Sequence, residues 1–210
     1  MSPLVTSKGS LIKDLFLSFL LFVSINAHAQ QDWELSKNKN GIKVYTRKTD
    51  SSDFKAVRVD AVLTGTTERL IDILMGIEKN IKWVYHTKTL RLIKRYNETE
   101  LIYYAETSLP WPMKNRDQAI RIKVFPDSAN RKVKITTVGE PGAIPATKGI
   151  VRVPYFLGIW DVRALNNHEI SIQYYLNVDP GGSIPAWISN MFVAKGPYET
   201  FINLSNLLKK

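Results

Sequence analysis

The sequence predicts an α+β domain in which a curved antiparallel sheet grips a long C-terminal helix. Three observations lead to this fold class. Extended runs recur from residue 41 to residue 178, a single helical stripe interrupts them, and the last segment repeats its apolar residues every three or four positions. Strands joined by short polar turns pair antiparallel, and such a sheet must bury one face against another element. The terminal helix is the only candidate long enough to cover it.

The predicted strands alternate apolar and polar side chains, which places one set on each face of the sheet. In residues 41–64, Val57, Val59 and Leu63 mark the apolar face. Further extended runs lie at 87–97, 100–109, 116–126, 131–139, 149–165 and 168–178.

Two segments have helical periodicity instead. The first begins at Thr67, a residue type that caps helices, and continues for about three turns. The second is the amphipathic stretch from Trp187 to Leu208. Gly196-Pro197 lies in the middle of this stretch. Because proline removes a helical donor, we expect a kink or a short break there.

The composition is that of a globular chain, with 44% hydrophobic and 23% charged residues. Lys and Arg number 29 against 19 Asp and Glu, and this net charge of +10 favours nucleic acid, phospholipid headgroups or acidic substrates as partners. The chain has no cysteine, which excludes disulfides, thiolate nucleophiles and cysteine-held metals.

The first 29 residues have the layout of a secretory signal peptide. Lys8 and Lys13 precede an apolar run at 15–25, and Ala27-His28-Ala29 provides small residues for cleavage near Ala29. A membrane anchor is the alternative, but the run has about half the length that a spanning helix requires. We therefore expect export to the periplasm or secretion. Residues 30–210 then form a single domain, because no linker or charge block divides them.

The predicted export affects the choice of anionic partner. Residues 1–29 contain two lysines and one aspartate, so the remaining chain keeps a net charge of +9. Nucleic acid is scarce outside the cytoplasm, whereas anionic lipid surfaces are abundant. We expect a monomer that docks on anionic membrane and binds no nucleic acid. A solvated basic face without a docking role is the alternative.

Three segments in the second half of the chain carry a family resemblance: Pro110-Trp111-Pro112 with Arg116-Asp117, the sequence GIWDV at 158–162, and DPGGSIP at 179–185. In this order they resemble the START (StAR-related lipid-transfer) domain family of the helix-grip (Bet v 1-like) superfamily, here as an exported bacterial-type member. The resemblance covers roughly residues 32–210. It implies an internal tunnel under the C-terminal helix that holds one sterol, phospholipid or other hydrophobic molecule.

The resemblance also implies roles for the motif residues. The gate loop comprises Pro110, Trp111 and Pro112, where Trp111 either forms a lip that touches lipid or packs as a loop anchor. Four further residues form a structural motif: Arg116, Asp117, Gly182 and Pro185. For Arg116-Asp117, a salt bridge or cap is expected rather than chemistry.

Alternation and the family fold together suggest which side chains line the tunnel: Leu101, Tyr103, Ala105, Ile120, Ile122, Ile135, Trp187, Ile188, Met191 and Phe192. The pattern alone is equally consistent with an ordinary core. Sterol carriers of the family place an acid and an Arg on the fifth and sixth strands. Here Tyr103 and Ile122 stand at those positions, which removes the specific signal for a sterol. An apolar tunnel with tyrosine hydroxyls suits an acyl chain, a quinone, a polyketide-like pigment or another lipid equally well.

Catalytic motifs are absent from the sequence. Neither His86 nor His168 is followed or preceded by a second histidine at metal-ligand spacing, and neither HExxH, GxSxG, GxGxxG nor a P-loop occurs. We therefore expect no metal, no cofactor and a non-catalytic protein that binds and transfers one lipid. The alternative is a cyclase-like or hydrolase enzyme of the helix-grip fold that acts on a polyketide-like or lipid substrate.

Overall fold

The computed structural model describes residues 32–49, 52–79, 83–182, 184 and 186–210, with the backbone alone at 52–53 and 186–192. The predicted signal peptide and Pro185 lie outside the described residues. The same holds for four side chains predicted to line the tunnel: Trp187, Ile188, Met191 and Phe192.

Within this part of the chain, ten strands and two α-helices follow one another. The strands are β1 (Glu34–Lys39), β2 (Ile42–Thr49), β3 (Ser52–Thr64), β4 (Thr87–Asn97), β5 (Glu100–Thr107), β6 (Arg116–Pro126), β7 (Lys132–Gly139), β8 (Val151–Arg152), β9 (Tyr155–Ala164) and β10 (Glu169–Asp179). The helices are α1 (Thr67–Met75) and α2 (Ala186–Leu208), and a 3-10 turn at Ile77–Lys79 follows α1.

The strands form one curved sheet in the order β1-β2-β3-β10-β9-β7-β6-β5-β4. All neighbours on this path are antiparallel, while the short β8 pairs parallel with β6. Register shifts interrupt the β1–β2, β2–β3 and β4–β5 pairs, and such bulges bend strands and help the sheet to curve. The predicted fold class is confirmed.

Three local features differ from the prediction. β1 was not predicted, because it is an edge strand whose only large apolar side chain, Leu35, is exposed. The N-cap of α1 is Thr66, whose side chain accepts from Arg69 N at 3.2 Å, and Thr67 is the first helical residue. α2 continues through Pro197, so of the two expected outcomes the short break was wrong, and the kink stays a prediction. The buried side chains of Tyr198 and Phe201 hold the helix against the sheet immediately after the proline.

The hydrophobic core fills the space between the sheet and the C-terminal half of α2. Phe201 and Leu204 are fully buried, and the Phe201 ring stacks on Trp160 of β9 with centroids 5.5 Å apart. Leu70 and Ile73 of α1 belong to the same cluster. The packing is thus dense beneath the end of α2, and cavities lie elsewhere on the inner face of the sheet.

Candidate functional site

A cavity of about 230 Å³ lies on the inner face of the sheet. Side chains of β4, β5, β6, β7, β9 and β10 form most of its wall. Leu74 of α1 and Trp83 close one side, and α2 contributes Gly196, Pro197 and Thr200. We call this the inner cavity.

A second cavity of about 270 Å³ adjoins it and extends towards the gate loop. Both cavities share six lining residues: Val84, Thr107, Gln118, Phe156, Leu176 and Pro197. The outer cavity, as we call it, is lined mainly by apolar side chains such as Val57, Val178 and Val193, and Leu109 brings its wall to the base of the gate loop. The two together form a hollow that leads from beneath α2 to that loop.

Four of the side chains predicted from alternation line the inner cavity: Tyr103, Ala105, Ile120 and Ile122. Leu101 and Ile135 do not line it, contrary to expectation. Both are fully buried and belong to the hydrophobic core cluster. Alternation identifies the inner face of a strand, but it does not show where along that strand the packing gives way to a cavity.

Several lining residues were not among the predicted site residues. Trp160 and Tyr174 are neighbours across β9 and β10, with ring centroids 4.2 Å apart. Gln118 and Thr137 lie on the predicted inner faces of β6 and β7. The alternation of β9 and β10 was the signal that could have identified the two aromatic residues.

The inner cavity is polar in places but carries no charge among its described lining residues. Burial raises the pKa of Tyr103, and burial together with the neighbouring Tyr103 raises the pKa of Tyr174, so both phenols stay protonated at neutral pH. Trp160 Nε1 and Gln118 Oε1 are buried and have no hydrogen-bond partner. The cavity wall therefore presents two neutral phenols, one N–H donor without an acceptor and one amide oxygen without a donor.

Gly158 shapes the wall beside these groups. Thr137 Oγ1 donates to the carbonyl oxygen of Gly158 at 3.2 Å. A Cβ at position 158 would overlap Thr137 Oγ1 and would lie 3.1 Å from Tyr174 Oη. Glycine is thus required for the close approach of β7, β9 and β10 at this point.

The gate loop is fixed at its base and exposed at its tip. Asn115 Nδ2 donates to Glu106 Oε1 at 2.7 Å, and Asn115 Oδ1 accepts from Leu109 N at 3.3 Å. Trp111 is 93% exposed, between Pro110 and Pro112, which are exposed as well. The alternative in which Trp111 packs as a loop anchor was therefore wrong.

Arg116 and Asp117 have separate partners. Asp117 forms a two-point salt bridge with Arg152, with nitrogen to oxygen distances of 2.7 and 3.2 Å. Arg116 donates to the carbonyl oxygens of Lys114 at 2.6 Å, Pro180 at 3.3 Å and Gly181 at 3.0 Å. Arg116 lines the outer cavity, and it ties the gate loop to the DPGGSIP segment.

Gly182, the third member of the structural motif within the described residues, follows these carbonyls with a φ of +64°. This left-handed conformation favours glycine, and a Cβ there would lie 3.6 Å from Arg116 Nη2. The geometry supports a structural role for the motif.

Two other kinds of feature are absent from the described residues. No group of three or more His, Asp or Glu side chains in this part of the chain is arranged to hold a metal ion. No helix among the described residues combines the length and the hydropathy needed to cross a bilayer.

Comparisons with known proteins agree with this architecture. A START domain model matches residues 20–204. An uncharacterized protein of Pseudomonas aeruginosa is 28% identical over 206 residues, which cover 97% of this chain and 99% of the relative. The phosphatidylcholine transfer protein of Mus musculus is 25% identical over 169 residues, covering 79% of this chain and 78% of that protein.

Solved structures show the same relationship. The crystal structure of a STAR-related lipid transfer protein fragment from Xanthomonas axonopodis superposes with a TM-score of 0.77 at 28% identity, covering 85% of this chain and 99% of that one. Human StAR-related lipid transfer protein 5 has a TM-score of 0.72 at 16% identity, over 95% of each chain, and so shares the fold. Because the family model spans most of the chain, including the gate loop and Arg116, the protein belongs to the START domain family.

Proposed function

We propose that the protein binds one amphiphilic lipid in the two adjoining cavities and carries it between membranes. The observation that supports this most directly is the hollow of mainly apolar lining between sheet and α2, at the place where the family fold would enclose a ligand. The transfer proteins among its relatives make lipid the natural class of ligand.

We propose that the protein acts without catalysis. General acid–base chemistry requires a titratable group within hydrogen-bond reach of the substrate. The described lining of both cavities contains no carboxylate and no histidine. The phenols of Tyr103 and Tyr174 stay protonated at neutral pH, and the two cations, Lys55 and Arg116, lie in the outer cavity. Nothing in this lining favours the cyclase or hydrolase alternative.

We further propose that an exported form docks on anionic membrane with the gate loop towards the lipid. Leu109 lines the outer cavity, Trp111 is exposed two residues later, and Lys114, three positions further along the chain, is exposed as well. A loop that exposes a tryptophan and a cation suits the boundary between headgroups and acyl chains. The signal-like residues 1–29 support delivery to the periplasm or the outside.

Lipid analysis of the purified protein tests the binding proposal. The protein is purified without detergent, native mass spectrometry counts its bound molecules, and solvent extraction followed by lipid analysis identifies them. We expect one lipid per chain, which exchanges when acceptor vesicles are added. If no hydrophobic molecule co-purifies and none is taken up from vesicles, the proposal is wrong.

A further inference from the structure

We propose that the bound lipid carries an anionic head group, a carboxylate or a phosphate, and that this head group lies in the outer cavity against the guanidinium of Arg116, with the hydroxyl of Thr107 as a second donor. This inference rests on the proposed function and specifies its ligand class. A buried cation without a counter-ion, in the wall of a cavity of mainly apolar lining, supports it.

The positive charge of Arg116 is not compensated by a described carboxylate. Arg116 lines the outer cavity and is only 7% exposed. The carboxylate of the next residue, Asp117, binds Arg152 instead, and no other described carboxylate forms a salt bridge with Arg116. Burial lowers the pKa of the guanidinium, because it removes water without supplying an opposite charge. Buried charges are normally paired, so this one indicates a missing anion.

The guanidinium of Arg116 also has hydrogen-bonding capacity left. Three of its five N–H groups donate to backbone carbonyl oxygens, those of Lys114, Pro180 and Gly181. These carbonyls hold the side chain in place, but they carry only partial charges, and the other two N–H groups have no described acceptor. An anionic oxygen can accept from these groups and neutralise the cation at the same time.

Thr107 provides a second donor beside Arg116. The two residues lie directly opposite each other in the β5–β6 pair, where the Cβ atoms of facing side chains are about 4.5–5.5 Å apart. Both line the outer cavity, and Thr107 lines the inner cavity as well. No described residue forms a hydrogen bond with the Thr107 hydroxyl. A carboxylate or phosphate, which has several acceptor oxygens, can therefore contact both side chains.

The remaining lining determines which end of the lipid lies at Arg116. The other cation of the outer cavity, Lys55, is already paired with Glu34 at 3.4 Å, and most of the lining is apolar, such as Leu109 and Val178. The described lining of the inner cavity carries no charge, so an anion there would lose its hydration without gaining a counter-ion. The head group therefore lies at Arg116, and the hydrocarbon chain occupies the apolar space.

Two matched pairs of lipids test the charge preference. Delipidated protein is incubated with equal sub-micellar amounts of 1-oleoylglycerol 3-phosphate and 1-oleoylglycerol, or of oleate and oleyl alcohol, and native mass spectrometry counts each complex. We expect the anionic lipid to exceed its neutral partner at least tenfold in one pair or in both, and the pair that shows the preference identifies the head group. A smaller ratio in both pairs would overturn the inference.

A probe without a hydrocarbon chain distinguishes a lipid head group from a free phosphate ester. Glycerol 3-phosphate has the same head group as 1-oleoylglycerol 3-phosphate. It should not displace that lipid even at a hundredfold excess, because the apolar lining stabilises only a ligand that has a chain to bury. Displacement at that excess would show that the site takes the free phosphate ester, and would overturn the assignment to a lipid.

Arg116→Gln tests the assigned contact. This change removes the charge and keeps an amide that can donate to the backbone carbonyls. The ratio of anionic to neutral lipid should fall at least tenfold, while the neutral lipid still binds. Arg163→Gln is the matched control, because it makes the same charge change at an exposed position of β9 outside both cavities and should keep the parent ratio. Equal loss of both lipids in Arg116→Gln would identify a purely structural role and overturn the assignment.

Thr107→Val keeps the test decisive if Arg116→Gln does not fold. It removes the hydroxyl and nearly preserves the shape of the side chain. The ratio of anionic to neutral lipid should fall about fivefold, because a hydrogen bond to a charged group is worth more than one to a neutral group. Thr136→Val makes the same change on β7 outside both cavities and should keep the parent ratio. An unchanged ratio in Thr107→Val would overturn the placement of the head group.

The outcomes separate this inference from the function on which it rests. Equal binding of the anionic and neutral lipids contradicts the inference and leaves lipid binding intact. If none of the four lipid probes binds and no lipid co-purifies, the proposed function itself is wrong.

Discussion

Gly158 shows how a single residue determines the shape of the cavity wall. A side chain there would overlap Thr137 Oγ1 and crowd the Tyr174 ring, so Gly158→Ala must displace one of them. We expect a loss of about 1–3 kcal/mol in the free energy of unfolding, typical of overpacking, measured by urea titration. Gly142→Ala is the matched control, because no described atom lies within 4 Å of the point that its new methyl group would occupy. Equal stability of both variants would contradict the account.

The carboxylate of Glu106, at the base of the gate loop, should make the stability of the protein depend on pH. Burial raises the pKa of its carboxyl, but hydrogen bonds from Lys88 and Asn115 outweigh burial, and the net pKa lies below the ordinary 4.5. The folded state thus binds this proton less readily than the unfolded chain. The stabilising contribution is present above about pH 4.5 and is lost as the pH falls through the lowered value.

The change Glu106→Gln tests this linkage. Urea titrations between pH 7 and pH 3 should show a shallower acid loss of stability in Glu106→Gln than in the parent protein, because one shifted carboxyl is gone. Glu98→Gln, at an exposed position in the turn after β4, provides the control and should keep the parent slope. An unchanged slope in Glu106→Gln would show that other carboxyls dominate.

The two halves of the helix α2 have different roles. Its C-terminal half is held on both sides: Tyr198 Oη accepts from Asn40 Nδ2 at 3.0 Å, and Thr200 Oγ1 accepts from Tyr85 N at 3.1 Å. Asn203 Nδ2 donates to Trp83 O at 3.1 Å. Pro197 marks the boundary, since it lines both cavities. The half of the helix after Pro197 anchors the fold. Before Pro197, Val193 lines the outer cavity and Gly196 lines the inner cavity.

Phe201→Ala tests the anchoring half. Phe201 is fully buried and lies against Trp160 and Tyr174, with ring centroids 5.5 and 5.9 Å away. Its truncation should cost about 3–5 kcal/mol in urea unfolding, since it removes apolar contacts and leaves a void. Asn206→Ala changes an exposed position of the same helix and should be nearly neutral. A cost below about 1 kcal/mol would show that the helix is held mainly by its hydrogen bonds.

Trp111→Ala tests the gate loop as a membrane-contacting element. Because Trp111 is 93% exposed, its removal should leave the melting temperature unchanged while it lowers the fraction of protein that sediments with anionic vesicles several-fold. Leu165→Ala removes an exposed apolar side chain from the β9–β10 turn and should not alter sedimentation. Equal effects of the two changes would place the membrane contact elsewhere.

At the scale of the whole molecule, periodicity predicted more of the fold than of the site. Alternation in β5 and β6 identified the inner face that carries Tyr103 and Ile120, because the side chains of a strand must point to opposite faces. The edge strand β1 carries no such pattern. Arg116 donates to the carbonyl oxygen of Gly181, 65 residues away in sequence. Because the acceptor is a backbone atom that every residue has, the type of side chain at position 181 could not predict this contact.

The net positive charge of the molecule leads to the last prediction. If the surplus of +9 after removal of residues 1–29 attracts the protein to anionic lipid, binding to vesicles with anionic headgroups should fall steeply as salt rises, because screening shortens the reach of surface charge. Vesicles of phosphatidylcholine alone provide the control for contact without net charge. The apolar contribution of Trp111 resists screening, so binding that remains at high salt should disappear in Trp111→Ala. Absent or salt-independent binding would identify the basic surface as a solvated face.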